Sequence, residues 1–252
     1  MADCLKRIYL LGIPLDIVPE ECIPEVIEDL YRLENHKQII LLDFHDFMNA
    51  RLSRERKKAL QEAALVLPAS AILTGAVKFL KLGNAVPVKP YPFVIKLLTI
   101  LEKSGKSVYL IGSDMKGVRK AEASVRKTFP GLQIVGRYSS RYKKNRENDI
   151  VTAIKKASPA LLLTGKGLKG RYMWIHRKKR NFSPGLSLWE KTWFKVFSGK
   201  KNKPGYNRIS LLVKSFFKTL IRPWRFFLIF RYMFFYILVL VEKIFFSGKR
   251  NI

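Results

Sequence analysis

The acidic residues best suited to move a proton follow a short apolar run. Gln38–Leu42 has the length and composition of a β-strand, and Asp43 comes directly after it, with His45 and Asp46 just beyond. A carboxylate at the C-terminal end of a strand is well placed to act as a general base. The same residues would also suit the cap of a following helix, because Asp is a preferred N-cap residue. The sequence leaves both interpretations open.

Two glycine turns follow other strand-like runs and could receive a diphosphate. Gly112 follows Lys106–Ile111, and Gly165-Lys166-Gly167 follows Ala160–Thr164. Glycine allows close approach of the backbone, and a helix N-terminus presents free N–H groups to an anion. In doubly wound folds, ligands collect at the carboxyl ends of the strands, so the two turns support each other. The spacing matches neither the dinucleotide fingerprint nor the Walker loop, and tight βα turns with a surface Lys166 would explain it equally well.

The sequence gives no pattern for metal, cofactor or cysteine chemistry. Two cysteines, Cys4 and Cys22, lack the spacing of a metal site and are too few for a disulfide framework, so we expect a reducing compartment. The three histidines are scattered along the chain. We therefore predict no metal site and no cofactor.

Strands that alternate with helices must position these residues. This alternation predicts an α/β fold with a doubly wound parallel, Rossmann-like sheet in a domain spanning residues 1–199. The N-terminus is predicted to begin with a strand and a turn rather than a signal peptide. The predicted strands are Gln38–Leu42, Leu65–Leu67, Lys106–Ile111, Gln133–Val135 and Ala160–Thr164, and the predicted helices are Pro19–Arg32, Met48–Leu65, Phe93–Glu102, Gly117–Phe129 and Asn148–Lys156.

The last segment, residues 200–252, is both basic and apolar. It holds 12 Lys and Arg residues against one acid, and it contains the apolar run Phe226–Val241. A helix would align its cations in one stripe beside aromatic surface, which predicts a tail that binds an anionic membrane peripherally at the cytoplasmic face of the inner (plasma) membrane. A single-pass anchor is the alternative, and no nucleic acid is expected, because a nucleic-acid binder would lack the apolar run. The predicted membrane-binding residues are Lys214, Lys218, Arg222, Trp224 and Arg225.

Several segments, in order, resemble the WecG/TagA/CpsF glycosyltransferase family. The most specific is VYLIGSDMKGVRKAEASVRKTFPGLQIVG, which is similar to the family's VFLLGGxPGVAEKAAExLRxxYPGLxIVG. SPALLLTGKGLKGRYMWI resembles xPDILLVGLGxPKQExWI, and FKVFSGKKNKP resembles FDVLAGKxKRAP. FFKTLIRPWRFFLIFRY is similar to the family's basic tail. The resemblance spans about residues 7–232 and implies transfer of an N-acetylmannosamine-type sugar from a UDP-sugar donor to a polyprenyl-diphosphate-linked acceptor.

The family's active-site residues are largely replaced in this chain. Its presumed catalytic Asp falls on Ala69, and the Asn of its TLN word falls on Asp43. One interpretation is an active transferase in which Asp43 supplies the base; the other is an inactive relative that acts as a binding or scaffold protein at the membrane surface. The resemblance implies a substrate-binding set of Gly112, Gly165, Lys166, Gly167 and Arg171 and is compatible with a homo-oligomer.

Overall fold

The computed structural model describes residues 4–199 and 226–247 of the 252-residue chain, with side chains of the second range described over 229–245. The chain divides into two compact units, Met1–Asn202 and Lys203–Ile252, and each is described by itself. The strands of the first unit are β1 (Lys6–Leu10), β2 (Ile13–Ile17), β3 (His36–Leu42), β4 (Leu65–Pro68), β5 (Ser107–Ile111), β6 (Gln133–Tyr138), β7 (Leu161–Thr164) and β8 (Gly185–Trp189).

Helices alternate with these strands along the chain. They are α1 (Ile23–Tyr31), α2 (Phe44–Arg51), α3 (Arg54–Gln61), α4 (Ala71–Phe79), α5 (Pro90–Lys103), α6 (Met115–Thr128), α7 (Glu147–Ala157), α8 (Tyr172–Lys178) and α9 (Trp193–Phe197). The described part of the second unit is one helix, α10 (Phe226–Ser247).

The central sheet has six strands in the order β4-β3-β8-β7-β5-β6, and every pair is parallel. Because all six strands run in one direction, their carboxyl ends meet at one edge of the sheet. The predicted α/β fold with a doubly wound parallel sheet is therefore confirmed.

Alternate side chains of the strands build two cores on the two faces of the sheet. Leu161 and Leu163 of β7 pack in one cluster with buried residues of α1, α5 and α6. Leu162, between them, packs in the other cluster with residues of α7 and α8. Strands buried on both faces read as continuous apolar runs, which is why ALLLT was recognisable as a strand.

The first two strands form a separate antiparallel hairpin that is tied to the edge strand β4. Asp16 of the hairpin is fully buried and accepts a hydrogen bond of 2.6 Å from the Val66 N–H. The Arg7 guanidinium binds the same carboxylate at 2.7 and 2.8 Å and also donates to the carbonyl oxygens of Ala63 and Ala64. The hairpin thus supplies hydrogen-bond partners to the backbone of β4.

The structure differs from the sequence-based prediction at one helix and at one strand of the central sheet. The predicted helix Met48–Leu65 is instead two helices and the start of a strand, because Ser53 has an extended backbone and its hydroxyl caps α3 by accepting from the Arg56 N–H at 3.4 Å. The strand β8 was not predicted. It is only five residues long and lies after a basic stretch where the strand–helix pattern is weak.

Cys4 and Cys22 form a disulfide with Cα atoms 6.5 Å apart. From the sequence we expected a reducing compartment and did not predict this disulfide. Cys22 is the residue directly before α1, so the disulfide links the segment before β1 to the start of that helix.

The C-terminal tail is helical over Phe226–Ser247, as predicted. Among the described residues, no helix has both the length and the apolar character needed to cross a membrane. The predicted membrane-binding residues Lys214, Lys218, Arg222, Trp224 and Arg225 lie outside the described residues.

Candidate active site

The candidate site lies at the carboxyl edge of the sheet, where β3 and β8 are neighbours. Asp43 directly follows β3, and Lys191 comes two residues after the end of β8. Arg171 comes from the loop that joins β7 to α8. The topology thus brings together three charged residues from distant parts of the chain.

The two carboxylate oxygens of Asp43 have different partners. Oδ1 accepts a hydrogen bond of 2.8 Å from the Asp46 N–H, which makes Asp43 the N-cap of α2. Oδ2 lies 3.4 Å from Nζ of Lys191 and 3.8 Å from Nη2 of Arg171. The side chain is 28% exposed, so its second oxygen remains within reach of solvent.

Arg171 forms a bidentate ion pair with Asp46. Its Nη1 and Nη2 lie 2.8 and 2.6 Å from the two carboxylate oxygens, and its guanidinium stacks over the Trp189 ring at 4.4 Å. The Asp46 side chain is only 2% exposed, against 37% for Arg171. The backbone of Arg171 has φ +56, a conformation that non-glycine residues seldom adopt and that the surrounding contacts must stabilise.

The two carboxylates have pKa values displaced in opposite directions. Burial alone would raise the pKa of Asp43, but the Asp46 N–H and the charges of Lys191 and Arg171 outweigh it and hold the pKa below its usual value. Burial, followed by the negative charge of Asp43, raises the pKa of Asp46 in spite of Arg171. Of the two carboxyl groups, Asp43 is therefore the one that loses its proton more readily.

Ala69 stands next to Asp43 across the sheet. Leu42 of β3 is in register with Pro68 of β4, and the Ala69 N–H donates to the Leu42 carbonyl oxygen at 2.9 Å. Ala69 corresponds to the presumed catalytic Asp of the family that the sequence resembles. Ala69 is thus adjacent to Asp43, the carboxylate that this chain has instead.

The glycine turns are packed against an aromatic ring. Gly112 and Gly165 are both buried, and a Cβ atom on either would collide with the ring of Phe194 in α9. The ring is fixed because Trp193, its neighbour, donates from its main-chain N–H to Glu190 at 2.8 Å and from its indole to the Thr164 carbonyl oxygen at 3.2 Å. These two glycines are required for packing of α9 against the sheet edge.

The loop that contains Lys166 and Gly167 is held by hydrogen bonds but keeps an exposed side. The Lys166 carbonyl oxygen accepts from the Ser113 N–H at 2.9 Å and from the Ser140 hydroxyl at 3.1 Å. Lys166 and Gly167 are both exposed. The N-terminus of α6, in contrast, is capped by Asp114, which accepts from the Gly117 N–H at 2.7 Å, so this helix end offers an anion less than the sequence suggested.

The structure brings some of the predicted site residues together and adds others. Asp43 lies beside Arg171, and Gly112 and Gly165 lie under one ring. Lys191 and Trp189 were missed, because both belong to the end of the unpredicted strand β8. Among the described residues, no group of three or more His, Cys, Asp and Glu side chains is arranged to hold a metal ion.

Comparison with known proteins connects this site to one family. The sequence model of the glycosyl transferase WecG/TagA/CpsF family matches residues 8–249. N-acetylglucosaminyldiphosphoundecaprenol N-acetyl-beta-D-mannosaminyltransferase from Bacillus subtilis (strain 168) is 24% identical over 135 residues, which cover 54% of this chain and 52% of the relative. The enzyme of the same name from Bacillus spizizenii is 23% identical over 137 residues, with the same coverage.

The chain therefore spans about half the length of the curated relatives that it matches, whereas the family match extends over nearly all of it. Together with the parallel sheet, that match shows that the chain belongs to the WecG/TagA/CpsF family of glycosyl transferases.

Proposed function

We propose that this chain transfers a hexosamine-type sugar from a UDP-sugar to a polyprenyl-diphosphate-linked acceptor in the synthesis of a cell-envelope polysaccharide. Family membership supports the type of reaction. Both relatives carry names that describe transfer to N-acetylglucosaminyldiphosphoundecaprenol. The observation that carries the proposal is the partly exposed Asp43 carboxylate, flanked by Lys191 and Arg171 at the carboxyl edge of the sheet.

In this proposal Asp43 is the catalytic base. A hydroxyl oxygen of the acceptor attacks the anomeric carbon of the donor sugar, and its proton passes to Oδ2 of Asp43, the oxygen that faces Lys191. The bond between the anomeric carbon and the diphosphate oxygen breaks, and UDP leaves with the electron pair. The lowered pKa of Asp43 keeps it ionised at neutral pH, and a positioned base of this kind contributes roughly 10²–10⁴-fold in rate.

The donor diphosphate is assigned to the exposed loop after β7 and to Arg171. Lys166 and Gly167 are exposed in that loop, where the Lys166 cation suits a diphosphate. Gly167 itself packs against the Ser140 side chain, which leaves no room for a Cβ atom. Because Phe194 covers Gly112 and Gly165, we assign these two glycines to shaping the loops rather than to direct contact with the donor.

We further propose a division of labour along the chain, with transferase chemistry in residues 1–199 and peripheral membrane binding in residues 200–252. The side-chain exposures of α10 support the second part. Seven of its ten exposed large apolar residues recur at helical spacing along one stripe, which consists of Phe230, Met233, Phe234, Ile237, Leu240, Val241 and Ile244. The other three, Ile229, Tyr236 and Phe245, lie beside this stripe. A tail of this kind would hold the enzyme at the cytoplasmic face of the membrane that contains its acceptor.

The test of the function is the variant Asp43→Asn, assayed for sugar transfer from UDP-N-acetylmannosamine to a lipid-linked N-acetylglucosamine acceptor. We expect the rate to fall roughly 10²–10⁴-fold, because an amide cannot accept the proton. Asn remains a good N-cap, so the variant should fold, and its melting temperature should fall only by the loss of the ion pairs with Lys191 and Arg171.

Asp149→Asn, at an exposed position in the first turn of α7, is the matched control and should retain full activity. Full activity in Asp43→Asn would exclude Asp43 as the base. No transfer by the unmodified chain with this and other UDP-hexosamines would favour the inactive membrane-surface protein.

A further inference from the structure

A cleft of about 770 Å³ lies beside β4, the edge strand of the sheet. Its lining includes Ile17, Val18 and Ile23, from the end of the hairpin and the start of α1. Leu67 of β4 and Phe93 of α5 also line it. The volume is within the range of about 300–1,000 Å³ that is common for ligand sites.

The lining of the cleft favours an apolar ligand. Four of its residues are prolines, Pro19, Pro68, Pro87 and Pro92, and proline has no backbone N–H to donate. Sugars and nucleotides are usually recognised by several convergent donors and acceptors, and the four prolines contribute no backbone donor to such recognition. A hydrocarbon chain needs none, and it gains free energy in proportion to the apolar area removed from water.

The charged groups at the mouth of the cleft largely neutralise one another. Nζ of Lys96 donates to the Glu20 carbonyl oxygen at 2.6 Å and lies 3.7 Å from the Glu20 carboxylate. Lys89 and Glu21 also line the cleft. The buried carboxylate of Asp16 is already bound by Arg7. The lining therefore has no excess of positive charge that would attract an anion.

The cleft lies beside the strand ends that carry the candidate active site. Pro68 lines the cleft, and the next residue, Ala69, donates to the carbonyl oxygen of Leu42, the residue before Asp43. The candidate base therefore follows the strand that neighbours the cleft-lining strand β4.

We propose that this cleft binds the first isoprene units of the polyprenyl chain of the acceptor. The inference rests on the proposed function and adds to it a protein site for the hydrocarbon chain. The diphosphate and the sugar extend from the mouth toward Asp43, so that the lipid chain contributes to the orientation of the acceptor hydroxyl.

The test uses the full chain and farnesyl diphosphate, a water-soluble probe with three isoprene units, in calorimetry without donor. Val86 lines the rim and is 68% exposed, so Val86→Glu should fold normally while adding a charge where the chain enters. We expect it to weaken farnesyl diphosphate binding at least about tenfold and to leave UDP binding unchanged. Val135→Glu, on the edge strand β6 at 42% exposure, is the matched control and should bind both ligands normally.

Two further comparisons test whether the cleft binds the hydrocarbon chain of the probe rather than its diphosphate. Inorganic diphosphate should not displace the probe; displacement at equal concentration would show that the headgroup is recognised and would overturn the inference. Equal binding of the probe by the Val86→Glu and Val135→Glu variants would also overturn it, even if the chain transfers sugar. If Val86→Glu lowers the melting temperature, Val86→Ser provides a milder change, with weakened probe binding as the supporting result.

The two proposals, the prenyl site and the transferase activity, can fail separately in these experiments. Loss of probe binding in Val86→Glu, combined with no sugar transfer by any form of the chain, would keep the prenyl site and reject the transferase. Normal transfer and an unchanged KM for the lipid-linked acceptor in Val86→Glu would keep the transferase and reject the prenyl site.

Discussion

At the scale of single residues, Asp43 combines a structural and a chemical role in one side chain. One oxygen is used by the Asp46 N–H at the start of α2, and the other faces two cations. Because the first contact fixes the orientation of the carboxylate, the second oxygen has a defined direction. The two interpretations of Asp43 that the sequence left open, base and cap, are therefore compatible, and the cap is observed.

The contact between Lys191 and Asp43 predicts a shift in the pH dependence of activity. Lys191 helps to hold the pKa of Asp43 below its usual value, so Lys191→Ala should raise that pKa and move the acidic limb of kcat/KM to higher pH. Ionised Asp43 contributes stability that is present above the pKa of the unfolded chain and is lost as pH falls through the lower folded pKa. In Lys191→Ala this contribution should therefore be smaller. Lys191→Arg keeps the charge and should leave the limb in place; an unmoved limb in Lys191→Ala would contradict the assignment.

The ion pair between Arg171 and Asp46 predicts a large coupling in stability. Arg171→Met leaves the buried Asp46 carboxylate without its partner. We expect this variant to lose about 3 kcal/mol of unfolding free energy. This value is at the lower end of the usual range because Arg171 is partly exposed. Replacing both residues, as in Arg171→Met with Asp46→Leu, removes the unpaired charge and should recover most of that loss. Denaturant unfolding of both variants measures the difference. Equal destabilisation in the single and double variants would show that the pair does not determine stability here.

At the scale of elements, the two glycine turns are explained by the packing of α9. Phe194 occupies the space that a side chain at Gly112 or Gly165 would need. A glycine that follows a strand can thus leave space for a packed aromatic ring or for a bound phosphate. The sequence alone does not show which of the two occupies that space. Phe194 reaches both glycines because α9 lies across the ends of β5 and β7.

Gly165→Ala should therefore destabilise the fold by about 1–3 kcal/mol, the usual cost of overpacking a filled site. The combination of Gly165→Ala with Phe194→Leu should be less destabilised than the sum of the single changes, because the smaller side chain makes room. Gly75→Ala is the control: Gly75 lies inside α4, where an added Cβ meets nothing within 4 Å, so it should stabilise by about 0.5–1 kcal/mol. Thermal unfolding compares the variants, and a neutral Gly165→Ala would contradict the packing account.

The sequence was sufficient for most of the central sheet and for some of the residues that meet at its carboxyl edge. Apolar runs of strand length between helical periods predicted five of the parallel strands, because strands buried on both faces carry a clear signal. The strand β8 lacked that signal, and with it were lost Trp189 and Lys191, two of the groups around the candidate base. Which charges meet at the sheet edge depends on strand order, β3 beside β8, and this order is not encoded in local spacing.

At the scale of the whole molecule, the proposed function gives complementary tasks to the tail and to residues 1–199. The proposed acceptor is confined to a membrane by its polyprenyl chain, and an enzyme held at the same surface meets it at a higher local concentration. The chain carries a formal net charge of +29, and cations attract an anionic leaflet within about a Debye length, roughly 8 Å at physiological ionic strength. Charge alone would make the association sensitive to salt, and the apolar stripe of α10 would make it less so.

The exposed stripe of α10 predicts how membrane binding should respond to one substitution. Ile237 lies in this stripe and is 53% exposed, and burying an Ile side chain contributes roughly 1.5–3 kcal/mol. Ile237→Glu removes that gain and adds a negative charge, so its affinity for vesicles with anionic lipid should fall at least about tenfold in a sedimentation assay.

The control Val135→Glu has the same change of charge on the catalytic unit and should bind vesicles like the unmodified chain. Peripheral binding also predicts release of the unmodified chain by alkaline carbonate, while high salt should release it only in part because the apolar contacts remain. Retention in the membrane pellet after carbonate, or unchanged vesicle binding of Ile237→Glu, would contradict the peripheral role of the tail.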